Sequence, residues 1–536
     1  MQITDVKKQI GQLMVCGFKG KTITPEIKKL IREHHVGGII LFARNIGTPQ
    51  EVYQLTTDLQ REAKVAGHEQ PLLICIDQEN GVVRRLGEGT TIFPGSMLIG
   101  ATGRYENAYI AGLATGRELK ALGINWNLAP VLDVNNNPDN PVIGVRSFGE
   151  DPDKVSKFGL ESMKGMQAAG VITTLKHFPG HGDTSVDSHL DLPVISHDMN
   201  RLKNIELKPF IKCINEGADT IMSAHVYFPA IEGEANVPAT LSNKVITGLL
   251  REQLGYKGVV TTDCMEMNAI SETIGTAGGG VAALKAGVDL IMVSHLQSRQ
   301  YETMDQIERA VISGEIKENT LNEAFNRVMQ LKKKYLSWED ISFESHLSKS
   351  TNLKSKHHEA EATEIYKQGI TVVKNEHKLL PLNIQPEDKV LVLYPENKYA
   401  MQVEDSRYAT FSLGESIKRY HSSTDILQLS NPPTKEEIDQ VGVACKGYKA
   451  VIIGTLSVQP GDAQAELVHT VTQHHKTVIV VATRSPYDLA YLPDVQAYIA
   501  TYEFTKPALE VATQAIFGIT HVKGHLPVTL PRREEG

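Results

Sequence analysis

Between residue 37 and about residue 295 the chain repeats one pattern: an apolar, β-branched run, then a polar residue, then a helical-looking stretch. The long run 124–134 could hold two short strands split near Pro130, which gives seven or eight strand–helix units. That number and this length are typical of a TIM-type (β/α)8 barrel. A doubly wound open sheet is the structural alternative. The apolar runs are Gly37–Phe42, Leu72–Ile76, Ile124–Val134, Val171–Leu175, Thr220–Ala224, Val259–Thr262 and Leu290–Val293.

Polar side chains close these runs, and they favour the barrel over the open sheet. Strand ends meet at one rim of a barrel, where catalytic side chains lie, whereas in an open sheet they spread along an edge. A lone His225 or His295 could be a simple polar terminator, but seven such positions in series point to a site. The residues are Arg44 and Asn45, Asp77, Asp133, Lys176 and His177, His225, Asp263, and His295.

The pattern stops after residue 330. Lysine-, serine- and glutamate-rich sequence through residue 364 predicts a solvated helix and a linker. We therefore expect a barrel domain at 1–335, a linker at 336–365, and a smaller α/β sandwich domain with a mainly parallel sheet at 366–536. Strands of this second domain are expected at Ile370–Val373, Val390–Tyr394, Val451–Gly454, Val478–Ala482 and Ala497–Thr501.

Charge and composition exclude several classes of function. The net charge is −8 with no basic tract, so we expect no nucleic-acid partner, and no apolar run is long enough for a membrane span. No phosphate-binding loop or dinucleotide fingerprint is present. The first twenty residues lack a sustained apolar region, so we expect no secretory signal and a cytoplasmic location. Five scattered cysteines without metal-ligand spacing agree with a reducing compartment and no metal site.

The segment 176–189, KHFPGHGDTSVDSH, concentrates lysine, histidine and aspartate directly after an apolar strand. In an extended chain residues two apart point the same way, so Asp187 and His189 could share one face. An acid beside an imidazole is a common means of tuning a proton shuttle. A merely polar surface loop is the alternative, but it leaves Lys176 and His177 at the end of a buried strand unexplained.

Two further carboxylates close apolar strands. Asp263 could be a nucleophile, a metal ligand or a helix N-cap, and we rank the cap second because the strand directs Asp263 toward the same rim. A thiol nucleophile at Cys264 is the weaker alternative, since no histidine is near it in sequence. Asp77 and Arg85 suit the clamping of a polyhydroxyl ligand, or they form a salt bridge, or both. Arg146 lies in a similar glycine-bracketed loop.

Together these motifs resemble glycoside hydrolase family 3, in particular its β-N-acetylglucosaminidase branch. The resemblance rests on the order and spacing of KHFPGHG with Asp187-Ser-His189, the Asp77 segment, RSFGEDP at 146–152 and Thr262-Asp263, and it covers about residues 5–335. Weaker family features in the second domain are GITVVKN at 369–375, LLPL at 379–382 and GHLPVTLP at 524–531.

The resemblance implies a role for each matching residue. Asp263 corresponds to the nucleophile that forms a covalent glycosyl-enzyme, and His189 to the general acid/base with Asp187 as its partner. Residues in the family branch that bind hydroxyls of a terminal N-acetylglucosamine correspond to Asp77, Arg85, Arg146, Lys176 and His177. The branch needs no metal and no organic cofactor.

The predicted function is exo-acting β-N-acetylglucosaminidase activity on chito-oligosaccharides or cell-wall muropeptide fragments, with retention of configuration. Three alternatives stay open. Phosphate could replace water as the acceptor, because a neutral histidine does not repel it. The acetamido oxygen of the substrate could attack in place of Asp263. The protein could also bind amino sugars without turnover. The natural substrate, the role of the second domain and the oligomeric state are left open.

Overall fold

The computed structural model describes residues 3–187, 192–233, 236–344, 347, 353–396, 404 and 413–531. Its first part is a barrel of eight parallel strands in the order β7-β6-β5-β4-β3-β2-β1-β8, and a bridge between Thr261 and Leu290 closes the ring. The TIM-type (β/α)8 prediction is therefore confirmed. The strands are β1 (Met14–Cys16), β2 (Gly38–Leu41), β3 (Leu73–Ile76), β4 (Trp126–Asn127), β5 (Ile172–Phe178), β6 (Thr220–Ser223), β7 (Val259–Thr262) and β8 (Ile291–Val293).

Two details of the strand prediction are wrong. The eighth strand is β1, which precedes the first apolar run that the repeating pattern identified. The run 124–134 holds only β4, followed by an isolated bridge between Val131 and Lys176. Pro130 lacks an amide N–H and so cannot donate to a continuous ladder there.

Helices surround the barrel. Their starts carry ordinary capping signals: Thr48 and Glu51, for example, form a reciprocal capping box ahead of α3, and Pro49 occupies its first turn. The helices are α1 (Ile3–Gln12), α2 (Pro25–Arg32), α3 (Pro49–Val65), α4 (Ser96–Ala101), α5 (Tyr105–Ala121), α6 (Pro152–Ala168), α7 (Met199–Asn204), α8 (Lys208–Asn215), a wide π-type helix at Lys244–Gln253, α9 (Asn268–Ser271), α10 (Thr276–Ala286), α11 (Gln297–Ile312) and α12 (Glu318–Tyr335). Single 3₁₀ turns lie at Ala43–Asn45, Gly144–Arg146 and Ala239–Leu241.

All eight barrel strands are buried along their whole length, which is why they read as continuous apolar runs rather than alternating ones. Both faces of each strand are covered, one by the barrel interior and the other by the helices. The polar residues at the strand ends are thus the first side chains that can reach a cavity. This arrangement carries the site to the carboxyl-terminal rim.

The second part is a six-stranded sheet with helices, in the order β11-β10-β12-β13-β14-β9. All neighbours are parallel except β9, which pairs antiparallel with β14, so the prediction of a mainly parallel sheet is confirmed. The strands are β9 (Thr371–Asn375), β10 (Val390–Pro395), β11 (Thr424–Leu429), β12 (Ala450–Thr455), β13 (Val478–Ala482) and β14 (Ala497–Ala500). The helices are α13 (Lys356–Gly369), α14 (Leu413–Tyr420), α15 (Lys435–Ala444), α16 (Ala463–His474), α17 (Asp488–Tyr491) and α18 (Lys506–Ile516), with 3₁₀ turns at Glu376–Lys378 and Cys445–Gly447.

The edge strand β11 was not predicted. Its sequence, Thr-Asp-Ile-Leu-Gln-Leu, is only partly buried, because one side of an edge strand has no neighbour. Strand prediction from apolar runs finds central strands such as β12 and β13, whose residues are all buried. An exposed, mixed sequence gives no such signal.

The two sheets share an apolar core and a buried polar contact. Barrel-loop residues such as Phe93 belong to the same apolar cluster as the strands of the second sheet. The carboxylate of Glu503, which follows β14, accepts hydrogen bonds from the backbone N–H of Gly95 (2.7 Å) and from the hydroxyl of Tyr366 (2.8 Å). The second sheet therefore packs firmly against the loops of the barrel. No helix in the part of the chain that the model describes has the length and apolar character needed to cross a bilayer.

Candidate active site

A cavity of about 500 Å³ lies at the carboxyl-terminal ends of the barrel strands. That rim is where the active sites of TIM barrels are found, and the volume is within the range of small-molecule sites. Six of the residues predicted from strand ends line it: Arg44, Asp77, Lys176, His177, Asp263 and His295. The cavity also contains Arg85 and Arg146, so seven of the eight residues proposed for catalysis or substrate binding can be located, and six of those seven line one cavity.

Asp263 follows β7 directly and lines the cavity. The backbone N–H of Cys264 donates to its Oδ1 over 2.7 Å. The next helix, α9, begins after Met267, so Asp263 is not a helix N-cap. Burial raises the pKa of the Cys264 thiol to about 12, which keeps it protonated and makes it a poor nucleophile. Of these two neighbours, only the carboxylate is suited to attack.

A carboxylate that the sequence analysis did not select, Glu79, holds two of the predicted cations. Arg146 donates to both of its oxygens, through Nε (2.9 Å) and Nη2 (2.8 Å), and Lys176 Nζ lies 2.6 Å from Oε1. Burial works to raise the pKa of Glu79, but Arg146 and Lys176 outweigh it and hold the pKa well below its usual range. Glu79 is therefore an ionised anchor for both cations.

Asp77 takes part in the same network from the cavity side. Lys176 Nζ donates to its Oδ1 over 2.9 Å, and Arg85 Nη2 lies 3.9 Å from Oδ2. The side chain of Asp77 is 18% exposed, whereas that of Glu79 is 4% exposed. Of the two carboxylates, Asp77 is thus the one that can accept a hydrogen bond from a ligand. The predicted ion pair between Asp77 and Arg85 is thus present, at 3.9 Å, and the clamping of a ligand by these two residues stays a prediction.

The buried carboxylate of Asp133 fixes the orientation of the His177 ring. Its Nδ1 lies 2.6 Å from Asp133 Oδ2, and the backbone N–H groups of His177 and His181 donate to the same carboxylate. Burial works to raise the pKa of Asp133, but His177 lowers it, and the net pKa is below its usual range. Asp133 therefore places a proton on Nδ1 and leaves Nε2, 3.4 Å from Arg146 Nη2, directed toward the cavity.

The predicted acid/base pair is only partly visible. His189 lies outside the described residues, together with Ser188, Leu190 and Asp191. Asp187 is described and half-buried, but it is not among the described residues that line the cavity. The roles of Asp187 and His189 thus stay predictions.

Several residues of the cavity were not selected from the sequence as site residues. Glu79 is two residues after Asp77, so period-2 spacing in an extended segment would have placed both on one face. His181 is buried, and its burial, followed by the neighbouring His177, lowers its pKa to about 4, so it is neutral near pH 7. Glu266 accepts from the backbone N–H groups of His295 (2.6 Å) and Leu296 (2.9 Å) and ties together the loops after β7 and β8.

Among the residues that the structure describes, two groups of side chains have donor atoms close enough to hold a metal ion: Cys264 with Glu266 and His295, and Asp183 with His197 and Glu206. An arginine already stands in each group. Arg44 Nη1 lies 3.1 Å from His295 Nδ1, and Arg201 Nη2 lies 3.4 Å from Asp183 and 3.3 Å from Glu206. These positive charges oppose the binding of a further cation.

The geometry so far is that of a (β/α)8 barrel with the Asp263 carboxylate and several cations lining one cavity at its rim, an arrangement typical of barrel enzymes, and comparisons with known proteins agree. The model of the glycosyl hydrolase family 3 N-terminal domain matches residues 5–331, and that of the family 3 C-terminal domain matches residues 370–536. The chain belongs to glycoside hydrolase family 3, and it is a glycoside hydrolase.

Individual relatives cover nearly the whole chain. Beta-hexosaminidase A of Pseudoalteromonas piscicida is 33% identical over 570 residues, which covers 96% of this chain and 92% of that protein. A family 3 beta-N-acetylglucosaminidase from Paenibacillus sp. str. FPU-7 has a similar structure, with a TM-score of 0.91, 40% identity, and coverage of 98% of this chain and 99% of that one. The beta-glucoside phosphorylase BglX is 22% identical, with a TM-score of 0.80 over 98% of this chain and 96% of that one, and shares the fold.

Proposed function

We propose that this protein is an exo-acting β-N-acetylglucosaminidase that removes terminal non-reducing N-acetylglucosamine from chito-oligosaccharides or cell-wall muropeptide fragments. The observation that carries the proposal is one cavity that contains Asp263 together with Asp77, Arg85, Lys176 and Arg146. Relatives that are named beta-hexosaminidase or beta-N-acetylglucosaminidase and that align over nearly the whole chain support it.

The chemistry is a double displacement that retains configuration. The Asp263 carboxylate attacks the anomeric carbon while His189 gives its proton to the leaving oxygen. The glycosyl–Asp263 ester then reacts with water, from which His189 takes a proton, so the free sugar leaves and both side chains return to their starting states. Asp187 holds His189 in the correct tautomer and stabilises the imidazolium. A histidine suits both steps of the reaction, because its ordinary pKa of about 6.5 lets it donate a proton in the first step and accept one in the second near neutral pH.

The terminal sugar is bound by Asp77, Arg85 and Lys176, which lie on the side of the cavity formed by the ends of β3 and β5. Asp77 accepts hydrogen bonds from hydroxyl groups, while Arg85 and Lys176 fix the orientation of Asp77 and donate to ring-substituent oxygens. Arg146 and His177 form the adjoining wall. Since Glu79 is fully engaged by Arg146 and Lys176, it supports the clamp from behind and takes no hydroxyl itself.

Hydrolysis is favoured over phosphorolysis by the charges of the cavity. Among the described residues, its lining has five carboxylates (Asp77, Glu79, Asp263, Glu266 and Glu404) against four cations (Arg44, Arg85, Arg146 and Lys176), and a fifth cation, Arg484, pairs with Glu404. Lys176 and Arg146, the deepest cations, are already neutralised by carboxylates. A phosphate dianion would therefore enter a site without a surplus positive charge, whereas water meets no such barrier.

Product analysis tests the proposal. The enzyme is incubated with chitobiose and with a muropeptide, each with and without phosphate, and the initial anomer is determined by NMR. We expect β-N-acetylglucosamine as the first product with either buffer. N-acetylglucosamine 1-phosphate as the main product would show phosphorolysis instead, and binding without release of sugar would show a non-catalytic protein.

The chain divides into a barrel domain at 1–335, a connecting segment at 336–365 that ends in the first part of α13 (Lys356–Gly369), and a second domain at 366–536. The enzyme works in the cytoplasm, a location with which the five free cysteines are compatible. Its partner is an oligosaccharide that contains N-acetylglucosamine.

A further inference from the structure

A hydrogen bond joins the two ends of the chain segment that carries the predicted acid/base pair. His197 Nε2 lies 2.6 Å from Asp183 Oδ2. These two residues bracket the segment 184–196, which includes Asp187 and, in the sequence, His189. Neither Asp183 nor His197 is among the described residues that line the cavity. The pair therefore lies behind the site and has no contact with a sugar in it.

The chain on the Asp183 side of this bond is held by the barrel. The backbone N–H of His181 donates to the buried carboxylate of Asp133 over 2.7 Å. Gly182 packs so closely on the backbone of Val134 that a β-carbon at Gly182 would lie 1.8 Å from the Val134 carbonyl oxygen. Asp183 thus projects from a backbone whose position is fixed.

The chain on the His197 side is held by the loop after β6. The backbone N–H of Tyr227 donates to the carbonyl of Pro193 (2.9 Å), and the backbone N–H of Ile195 donates to the carbonyl of Tyr227 (3.0 Å). Asp198, directly after His197, caps α7 by accepting from a backbone N–H of the helix over 2.9 Å. His197 therefore lies between two anchored stretches of backbone.

Arg201 of α7 orients the Asp183 carboxylate from a second direction. Its Nη2 lies 3.4 Å from Asp183 Oδ2 and 3.3 Å from Glu206 Oε1. The side chain of Glu206 is 2% exposed, and it packs against Gly180 at the start of the loop after β5. Since His197 and Arg201 approach the same oxygen of Asp183, only one orientation of the carboxylate serves both.

Such a tie at the base of a catalytic segment has a use in proton transfer. A general acid must come within hydrogen-bond reach of the leaving oxygen. A misplacement of about 1 Å can cost about 100-fold in rate. Joining the two ends of a segment reduces the number of conformations that the residues between them can adopt. The bond between Asp183 and His197 makes this connection for the segment 184–196.

We propose that Asp183 and His197 are positioning residues that hold the segment 184–196 so that its acid/base pair reaches the leaving oxygen. This inference rests on the proposed function and deepens it. The two residues act through Asp187 and His189 and do not bind the sugar. Loss of the bond should therefore weaken proton transfer and leave the binding of the terminal sugar intact.

The test compares two leaving groups, because only a poor leaving group needs a proton. We measure kcat/KM on chitobiose, whose leaving oxygen must be protonated, and on 2,4-dinitrophenyl N-acetyl-β-glucosaminide, whose phenolate leaves without a proton. General acid catalysis is worth about 10²- to 10⁴-fold, and a displaced acid loses part of this. For Asp183→Ala and for His197→Ala we expect about a 10- to 100-fold decrease on chitobiose and a change within about threefold on the dinitrophenyl substrate.

Two further readouts separate positioning from stability. With the dinitrophenyl substrate, the attack of water on the glycosyl ester limits kcat and needs the base, so kcat should fall in both variants. Azide attacks without a base and should restore kcat, with glycosyl azide as the product. His197→Gln keeps a donor for Asp183 and should retain more activity on chitobiose than His197→Ala.

A double variant and a control complete the set. Asp183→Ala/His197→Ala should lose no more than about twofold beyond the more affected single variant, because the two residues act as one unit. The control is His357→Ala, which removes a comparable contact between a histidine and a carboxylate, to Glu361 (3.2 Å) on α13. It should leave kcat/KM on both substrates within about twofold of the wild type.

Several results would overturn the role of the pair. These are an unchanged kcat/KM on chitobiose, an equal decrease on both substrates, losses that multiply in the double variant, or a kcat that azide does not restore. The wild type tests the proposed function separately, through the release of N-acetylglucosamine from chitobiose. If the wild type released none from either substrate, the proposed function would be wrong and this inference with it.

Discussion

Replacing Glu79 by glutamine removes the carboxylate that neutralises two buried cations. Arg146 and Lys176, whose side chains are 3% and 2% exposed, would keep their charges. Breaking a buried ion pair by removing one partner costs about 3–5 kcal/mol. An unfolding entropy of about 2.1 cal/mol/K per residue amounts to roughly 0.7 kcal/mol/K for a barrel domain of some 330 residues, so the midpoint should fall by about 4–7 °C.

The assay is thermal unfolding followed by circular dichroism between pH 5 and pH 8. The pKa of Glu79 is lowered in the folded protein. The contribution of the ionised carboxylate to the free energy of unfolding is therefore complete above the ordinary carboxyl pKa of about 4.3, and it is lost only as the pH falls toward the folded pKa. The difference between wild type and variant should thus be constant in this range. The control is Glu106→Gln, whose partner Arg104 is equally exposed and whose loss should shift the midpoint by less than about 1.5 °C. A shift for Glu79→Gln no larger than that of the control would refute the reasoning.

Three other variants test the account. Asp187→Ala should lose less kcat/KM than Asp263→Ala, which should lose about 10³-fold or more, and the reverse order would contradict their roles. Asp133→Asn should lower kcat/KM about 10- to 100-fold, since an amide no longer fixes the tautomer of His177, and an unchanged value would contradict this. Burial lowers the pKa of Lys332 to about 7, so the unfolded chain holds the proton more tightly and stability rises with pH from about 7 to about 10. Lys332→Met should raise the melting temperature near pH 7 and show a vanishing difference near pH 10; an equal difference at both values would contradict it.

Much of the barrel was predictable because its strands are buried on both faces and read as apolar runs. The strand β1 was not predicted because it is only three residues long and follows the amphipathic helix α1 almost immediately in the sequence. Its apolar residues therefore do not form a separate apolar run. The strand β11 escaped because an edge strand need not be apolar. The pattern therefore detects long buried strands, and it misses a buried strand that is very short, such as β1, and an edge strand that is only partly buried, such as β11.

The candidate site was predictable where a polar residue ends a strand. Asp77, Lys176 and Asp263 are found this way, and all of them line the cavity. Glu79 was missed because its importance lies in a contact with Arg146, 67 residues away, which only the folded chain brings about. Glu404 could not be found, since its approach to the barrel depends on how the second sheet packs. A search for polar residues at the ends of apolar strands finds site residues that a single strand places in the cavity. It does not find site residues whose position depends on contacts between distant parts of the chain.

The central claim is that Asp263 attacks the sugar, and covalent trapping tests it most directly. The enzyme is treated with a fluorinated N-acetylglucosaminyl donor that slows the release of the intermediate, and the peptides are sequenced by mass spectrometry after trypsin cleavage. We expect one added glycosyl group on the peptide 258–285, localised to Asp263 and absent from Asp263→Ala. A label on Glu266 of the same peptide, or rapid turnover of the donor with no labelled peptide, would contradict the account.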